Sequence, residues 1–474
     1  LENAVAVWSS QPSAVPLTHW PELPPESGGI CLYSGRLKSI LPLSQKIDFR
    51  AAITVIPRPN QAFWTLSALW SGWLWGSEAA SMLKGALERQ RYDWHWHTTA
   101  LFSAFGALYR ALPVDTPFYA LLPETAPGFL AASLIASSAS GWGLKGLALR
   151  TDQEMAQFLW QKQSAVKPGG TRPMAESAQD AMKAHLQQVN QPEPYLPLYA
   201  AAMTGLVQEN AFSEGAETLK TETLNRVQAA VAQTFSAPGF LRRFQSQSQD
   251  SEAGWWWLQT PESSETPLFD RVEMETVRFL QNHAVASRYE IDEQLCRLFP
   301  GLSTPPAAWI DTCLDSYGEQ VGSGLDQWKL KEIDSPAARK ADVQAARQML
   351  ALTAKRFGFQ VYGDAPIVWK DARGKNIFAF YVMASSFVSR YVNHPQPVPV
   401  DRCAIVLPGS RANLLANKFR LNPALAEACQ GWHFVKFRYL RQLAGREDLT
   451  LELWSRLLDE DPLLRETPLQ MEMF

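Results

Sequence analysis

Residues 51–75 read AAITVIPRPNQAFWTLSALWSGWLW, and the fold turns on how they are read. The run Ala51–Ile56, rich in β-branched residues, suits a strand, and Pro57 ends it because proline brings no N–H to a ladder. After the turn Pro57-Arg58-Pro59-Asn60, the segment Gln61–Trp75 puts Phe63, Leu66, Trp70, Trp73 and Leu74 on one helical face. Trp64, Ala68 and Trp75 make a second apolar side. A helix apolar all round is expected to be buried, so Trp64, Trp70 and Trp73 read as core residues. The turn at the strand's carboxyl end is where open α/β sheets bind ligands.

Outward from this stretch the pattern alternates. A short strand, Ile30–Tyr33, precedes it after a Pro- and Ser-rich lead-in. Trp94, Leu101, Phe105, Leu108 and Leu112 mark a second helix after Asp93-Trp94-His95-Trp96-His97, which reads as a helix start with tryptophan packing rather than a metal site. Thr116–Leu122 then reads as strand, Gly128–Ser140 as helix and Leu144–Leu149 as strand, with Phe158 and Trp160 closing a unit near residue 162. That is the order of an open α/β sheet covered on both faces. Glu124, just past Leu122, sits at a strand end and reads as a helix cap.

The placement of Val55-Ile56-Pro57-Arg58-Pro59-Asn60, with the strand-helix-strand order behind it, resembles the second half of a class I S-adenosylmethionine-dependent methyltransferase, and most of all the amino-methylating DNA methylases. The resemblance covers roughly residues 30–162. In that family an acid or amide, two prolines and an aromatic hold and stack on a flipped base. The resemblance therefore implies Pro57 and Asn60 as catalytic residues, Asn60 as the amide and Phe63 or Trp64 as the stacking group. Ile56 stands in the acid position in the simplest register. It also implies S-adenosylmethionine as cofactor and DNA as partner. The family's glycine-rich cofactor loop has no counterpart in the sequence, so the expectation is a degenerate methylase or one whose loop lies upstream of Leu1.

Length and composition bound the rest. The chain has 474 residues, 46% apolar and 19% charged, with a net charge of −3. That is enough apolar material for several cores and excludes wholesale disorder. Five scattered cysteines, none spaced as CxxC, argue against a disulfide scaffold or a cysteine zinc site and fit a reducing cytoplasm. The densest apolar stretch, Phe63–Gly76, is too short to span a membrane.

Four units are expected. Residues 1–162 form the partial, Rossmann-like methyltransferase sheet, and 163–254 a helical linker region opened by Pro168-Gly169-Gly170. Residues 255–357 resemble a winged helix, with short helices broken at Pro300-Gly301 and Thr304-Pro305-Pro306, and Trp328-Lys329-Leu330 as wing strand. Residues 358–474 form a second, basic α/β domain whose three opening strands resemble the PD-(D/E)xK nucleases, with Tyr381-Val382-Met383 where the acid-x-Lys triplet would stand. The fold class is thus multidomain α/β.

The charge is uneven. Between Pro366 and Arg446 there are twelve basic residues against three acidic ones. Pro408-Gly409-Ser410-Arg411 reads as a helix N-terminus suited to a phosphate, and Lys436-Phe437-Arg438-Tyr439-Leu440-Arg441 interleaves basic and aromatic side chains. Arg411, Lys418, Lys436, Arg438 and Arg441 are the expected nucleic-acid contacts. The sequence as a whole points to a DNA-methylase-like, nucleic-acid-binding protein. The alternative is a non-catalytic DNA-binding or assembly protein of a restriction or phage-defence system, partnered by other proteins of that system or by an upstream part of the same polypeptide.

Overall fold

Residues 15–33, 49–58, 61–84, 93–163, 172–212, 222–246, 250–261, 266–322 and 326–463, with the single positions 35, 39, 47 and 248, are described by a computed structural model. A parallel strand pair, β1 (Leu17–His19) and β2 (Ile30–Leu32), leads in. The quoted stretch follows as β3 (Ala52–Val55) and α1 (Gln61–Trp75). After α2 (Trp94–Ala111), β4 (Pro117–Leu122), α3 (Pro127–Ala139), β5 (Trp142–Arg150) and β6 (Met155–Lys162), a four-stranded sheet is complete. Its order is β3-β4-β6-β5, with β3 parallel to β4 and β6 antiparallel to both its neighbours.

Two apolar helices of this unit meet opposite fates. Every residue of α3 from Phe129 to Ser138 is buried, because sheet and helices close around it. By contrast, α1 lies open. Trp73 is 81% exposed and Trp70 54%, with Leu66, Leu69, Leu74 and Trp75 also exposed. The expectation that Trp70 and Trp73 belong to a core is therefore corrected. Beside them the edge strand β3 exposes Ile53 and Val55.

The next segment is α4 (Met174–Val189), β7 (Glu193–Pro194), α5 (Tyr195–Gln208), α6 (Thr223–Phe235), β8 (Leu241–Phe244) and β9 (Trp255–Leu258). Rather than bridging two units as a linker, it packs onto the sheet, and one hydrophobic cluster runs from Ile56 to Leu258. The contact between α4 and α5 is close at Gly205, where a Cβ would lie 2.5 Å from the Ala181 Cβ.

A second cluster surrounds α7 (Leu268–Asn282), β10 (Ala286–Ser287), α8 (Arg288–Leu298), α9 (Ala307–Tyr317), β11 (Gly318–Gln320) and β12 (Gln327–Leu330). The strands form an antiparallel sheet of order β10-β12-β11. A capping box between Ser287 and Glu290 starts α8, as the sequence Ser-x-x-Glu dictates.

The long helix α10 (Pro336–Arg356) leads to the last sheet, β13 (Gln360–Tyr362), β14 (Ile367–Lys370), β15 (Asn376–Val382), β16 (Cys403–Leu407) and, after α11 (Ala412–Leu421), β17 (His433–Lys436). The strands lie in sequence order, antiparallel through β15 and parallel from β15 to β17. The interior strand β16, CAIVL, is buried along its whole length, as parallel strands covered on both faces are. Helices α12 (Phe437–Ala444) and α13 (Leu451–Leu457) complete one covering layer. All five cysteines are free thiols, and no helix among the described residues is long and apolar enough to cross a membrane.

Candidate functional site

A cavity of about 300 Å³ opens at the carboxyl end of β3, between that strand and α2. Pro57, Arg58, Trp64, Trp96, His97 and Phe105 are among its lining residues. Thr54 and buried Ile56 line it while Val55 points away, because alternate residues share a face, and exposed Pro57 follows at the rim. Helix α2 delivers the opposite wall. Asp93 caps it, its carboxylate accepting the Trp96 N–H at 2.7 Å, which fixes the first turn and so sets Trp96 and His97 against the strand. His97 is buried and meets Phe129 edge-on at 5.4 Å.

Above the cavity, Arg58 and Glu124 form an ion pair at 2.5 Å that ties the carboxyl end of β3 to that of β4. Glu124, expected as a helix cap, is thus a partner for Arg58, and the helix that follows it starts at Pro127 with no side-chain cap. Asn60 lies outside the described residues, as does the side chain of Phe63. The sequence reading missed His97, Trp96 and Phe105 as cavity walls. The signal was present as the apolar spacing of α2, but spacing marks a buried face without saying that a gap remains beside it.

The five basic residues expected to meet phosphates divide sharply. Arg411 is fully buried. Its guanidinium pairs with Asp334, donates to Ser316 O at 2.8 Å and to Ala384 O at 3.2 Å, and lies 3.4 Å from the Tyr317 ring centroid. Lys418 is buried too, its ammonium paired with Asp270 and, at 2.9 Å, with Glu273, and donating to Ser386 Oγ at 2.6 Å. Lys436 is buried against Asp461 at 3.0 Å. None of the three is free to reach a phosphate, and the expectation is corrected for each. They are internal counterions.

Burial alone would lower the Lys418 pKa, but Asp270 and Glu273 more than offset this and hold it above its ordinary value. Glu273, which burial alone would raise, is held below its ordinary value by Lys418, Ser386 and Tyr317. Arg438 and Arg441 are the exposed pair, with side chains 64% and 51% accessible. They share a face of α12, which begins at Phe437, although each also has a carboxylate nearby, Asp461 at 3.6 Å and Asp342 at 3.1 Å.

The nuclease-like acid-x-Lys positions carry neither the acid nor the lysine. Tyr381, Val382 and Met383 are buried apolar side chains at the end of β15. Among the described residues no three His, Cys, Asp or Glu side chains come together in a way that could hold a metal ion. No protein-family model matches the chain, and neither a curated protein nor a solved structure does.

Proposed function

We propose that the chain is a methylase-derived nucleic-acid-binding protein that receives an extruded base in the cavity beside Pro57 and transfers no methyl group by means of its described residues. The observation that carries this reading is the mostly apolar, aromatic cavity at the carboxyl end of β3, with Trp64 and Trp96 in its lining and Arg58, paired to Glu124, as its charged group. A base leaving its stack gains from such a pocket what it loses from its neighbours. The sheet order β3-β4-β6-β5, with an antiparallel strand inserted next to the edge, supports the likeness to the second half of a class I methyltransferase sheet.

S-adenosylmethionine is implied by that likeness, but the described residues do not fit it. The described sheet ends at β3 with no glycine-rich strand-loop beyond it, and no carboxylate lines the cavity to take ribose hydroxyls. No methyl-transfer step follows from these residues. In the full methylase fold the cofactor-binding half continues from the edge that β3 leaves free, and the exposed face of α1 with Ile53 and Val55 is the surface such a half covers. The same uncharged face favours the second reading, an assembly protein of a restriction or phage-defence system.

The middle unit and the last sheet take supporting parts. Three helices with a β10-β12-β11 sheet support the winged-helix likeness. Its second helix of the helix-turn-helix, α9, packs against α11 and carries Asp311 and Asp315, so this unit joins domains rather than entering a groove. Of the five basic residues expected to meet phosphates, the two that stay exposed lie on α12.

Two measurements test the reading. A duplex with 2-aminopurine at a mismatch is expected to brighten when the chain is added, as the base unstacks, and Ala104→Trp, which fills the cavity from α2, is expected to abolish the rise. A rise that survives the filling substitution rejects the cavity as the base site. For the basic surface, Arg438→Ala with Arg441→Ala is expected to flatten the slope of log K against log salt by about 1–2 units, at roughly 0.9 per phosphate. An unchanged slope removes α12 from the interface.

A further inference from the structure

Two cavities adjoin where the end of β5, the β7 strand, α9 and α11 meet, well apart from Pro57. The first, about 310 Å³, is walled by Trp255, Trp309, Pro194 and Leu302 and includes Glu193 and Asp152. The second, about 360 Å³, is polar, with Asp315, Ser410 and Asn413 in its lining. Thr312, Asn417 and Arg420 line both, so an aromatic chamber and a polar vestibule adjoin at these three side chains.

We propose that this pair of chambers binds a nucleotide, with its base in the tryptophan-walled chamber and its phosphate at Arg420. The combined shape suits a flat apolar ring joined to a polar tail, and each chamber is of the size ligand sites take. The polar groups left over point the same way. Trp309 walls the chamber while only 1% exposed, and its buried indole N–H has no hydrogen-bond partner among the described residues.

Glu193 has one long hydrogen bond, from the Gln191 amide at 3.5 Å. Burial pushes its carboxyl up to about 8, so at neutral pH it keeps its proton and offers an O–H donor beside a C=O acceptor. That pair matches the amino and ring-nitrogen edge of adenine or cytosine, and the purine fills the chamber better. Asp152 is already engaged, accepting the Ala308 N–H at 3.0 Å at the start of α9. In the vestibule Arg420 is an exposed cation in the last turn of α11, and Asp315 faces the same space as an acceptor for sugar hydroxyls. A free nucleotide and a nucleotide unit of a single strand present the same chemistry.

Calorimetric titration of the full chain separates them, using adenosine 5′-monophosphate, adenosine and a six-residue oligodeoxyadenylate. Saturable binding of the monophosphate is expected, weakened about tenfold or more by Glu193→Ala and held within about threefold of the parent by Glu193→Gln, which keeps a neutral donor and acceptor. Arg420→Ala, at an exposed position, is expected to weaken the monophosphate about tenfold and to leave adenosine unchanged. Binding of the oligonucleotide alone, lost in the same variants, assigns a strand as the source of the nucleotide. No saturable heat from any of the three, or heat that both alanine variants leave untouched, overturns the assignment.

Discussion

Lys418→Met is expected to destabilise the native chain by about 3–5 kcal/mol, the usual penalty for removing one partner of a buried ion cluster. Lys418 projects from α11 into a space where Asp270 and Glu273 of α7 converge. Ser389 donates to Asp270 at 2.6 Å, and the Ser386 N–H donates to Glu273 at 3.1 Å. With the ammonium gone, two carboxylates share a dry space and repel. The loss is therefore expected to shrink in the triple variant Lys418→Met, Asp270→Asn, Glu273→Gln, and chemical denaturation of the three proteins measures the difference. A triple variant as unstable as the single one would show that Lys418 acts by packing alone.

The pH dependence of that penalty has a definite sign. Lys418 is held above its ordinary value of 10.5, so its contribution is fully present below that pH and lost only as pH rises through the higher folded value. Glu273 is held below its ordinary 4.5, so its contribution is present above that pH and lost as pH falls through the lower folded value. Asp270 works the other way: burial raises it above 3.8, Lys418 offsets this only in part, and its ionisation opposes folding as pH rises. In Lys418→Met burial raises both unpaired carboxyls, so the penalty is expected to be largest near neutrality and to shrink as pH falls towards about 4.5, where they have taken up protons.

Trp160→Ala is expected to cost about 3–5 kcal/mol, whereas Trp73→Ser is expected to change stability by no more than about 0.5 kcal/mol. Trp160 lies fully buried on β6, stacked on Phe158 at 4.6 Å and packed against Phe118 at 5.2 Å and Phe105 at 5.7 Å. Phe105 and Phe118 also line the cavity beside Pro57, so the void left by the indole loosens that wall as well. Trp73 meets Trp70 at 5.4 Å and otherwise faces solvent. Thermal unfolding of the two variants gives the contrast directly. A large loss from Trp73→Ser would mean that α1 is covered after all.

Local pattern was enough to place most elements. The β-branched run ending at Pro57, the helix after it, the strand ending at Leu122 and the helix that closes near Ser140 each follow from periodicity, proline and turn chemistry within a few neighbouring residues. Helix α12 also begins where Arg438 and Arg441 come to share a face. What the same pattern left open was cover. The sequences of α1 and α3 are both apolar all round, and both demand burial, but a demand for burial names no partner. The sheet and α5 close over α3, while α1 stays exposed.

The basic residues show the same division most clearly. A lysine or arginine read along the chain is a solvated charge, and twelve of them against three acids make a basic surface. Only the tertiary structure brings Asp334 to Arg411 from 77 residues away and Asp270 to Lys418 from 148. A charge can be buried only where an opposite charge and hydrogen bonds meet it, and those partners come from other units of the chain. The sequence therefore determined which elements form and which charges exist. Packing between distant segments decided which charges became internal counterions, which apolar face stayed bare, and where the cavities lie.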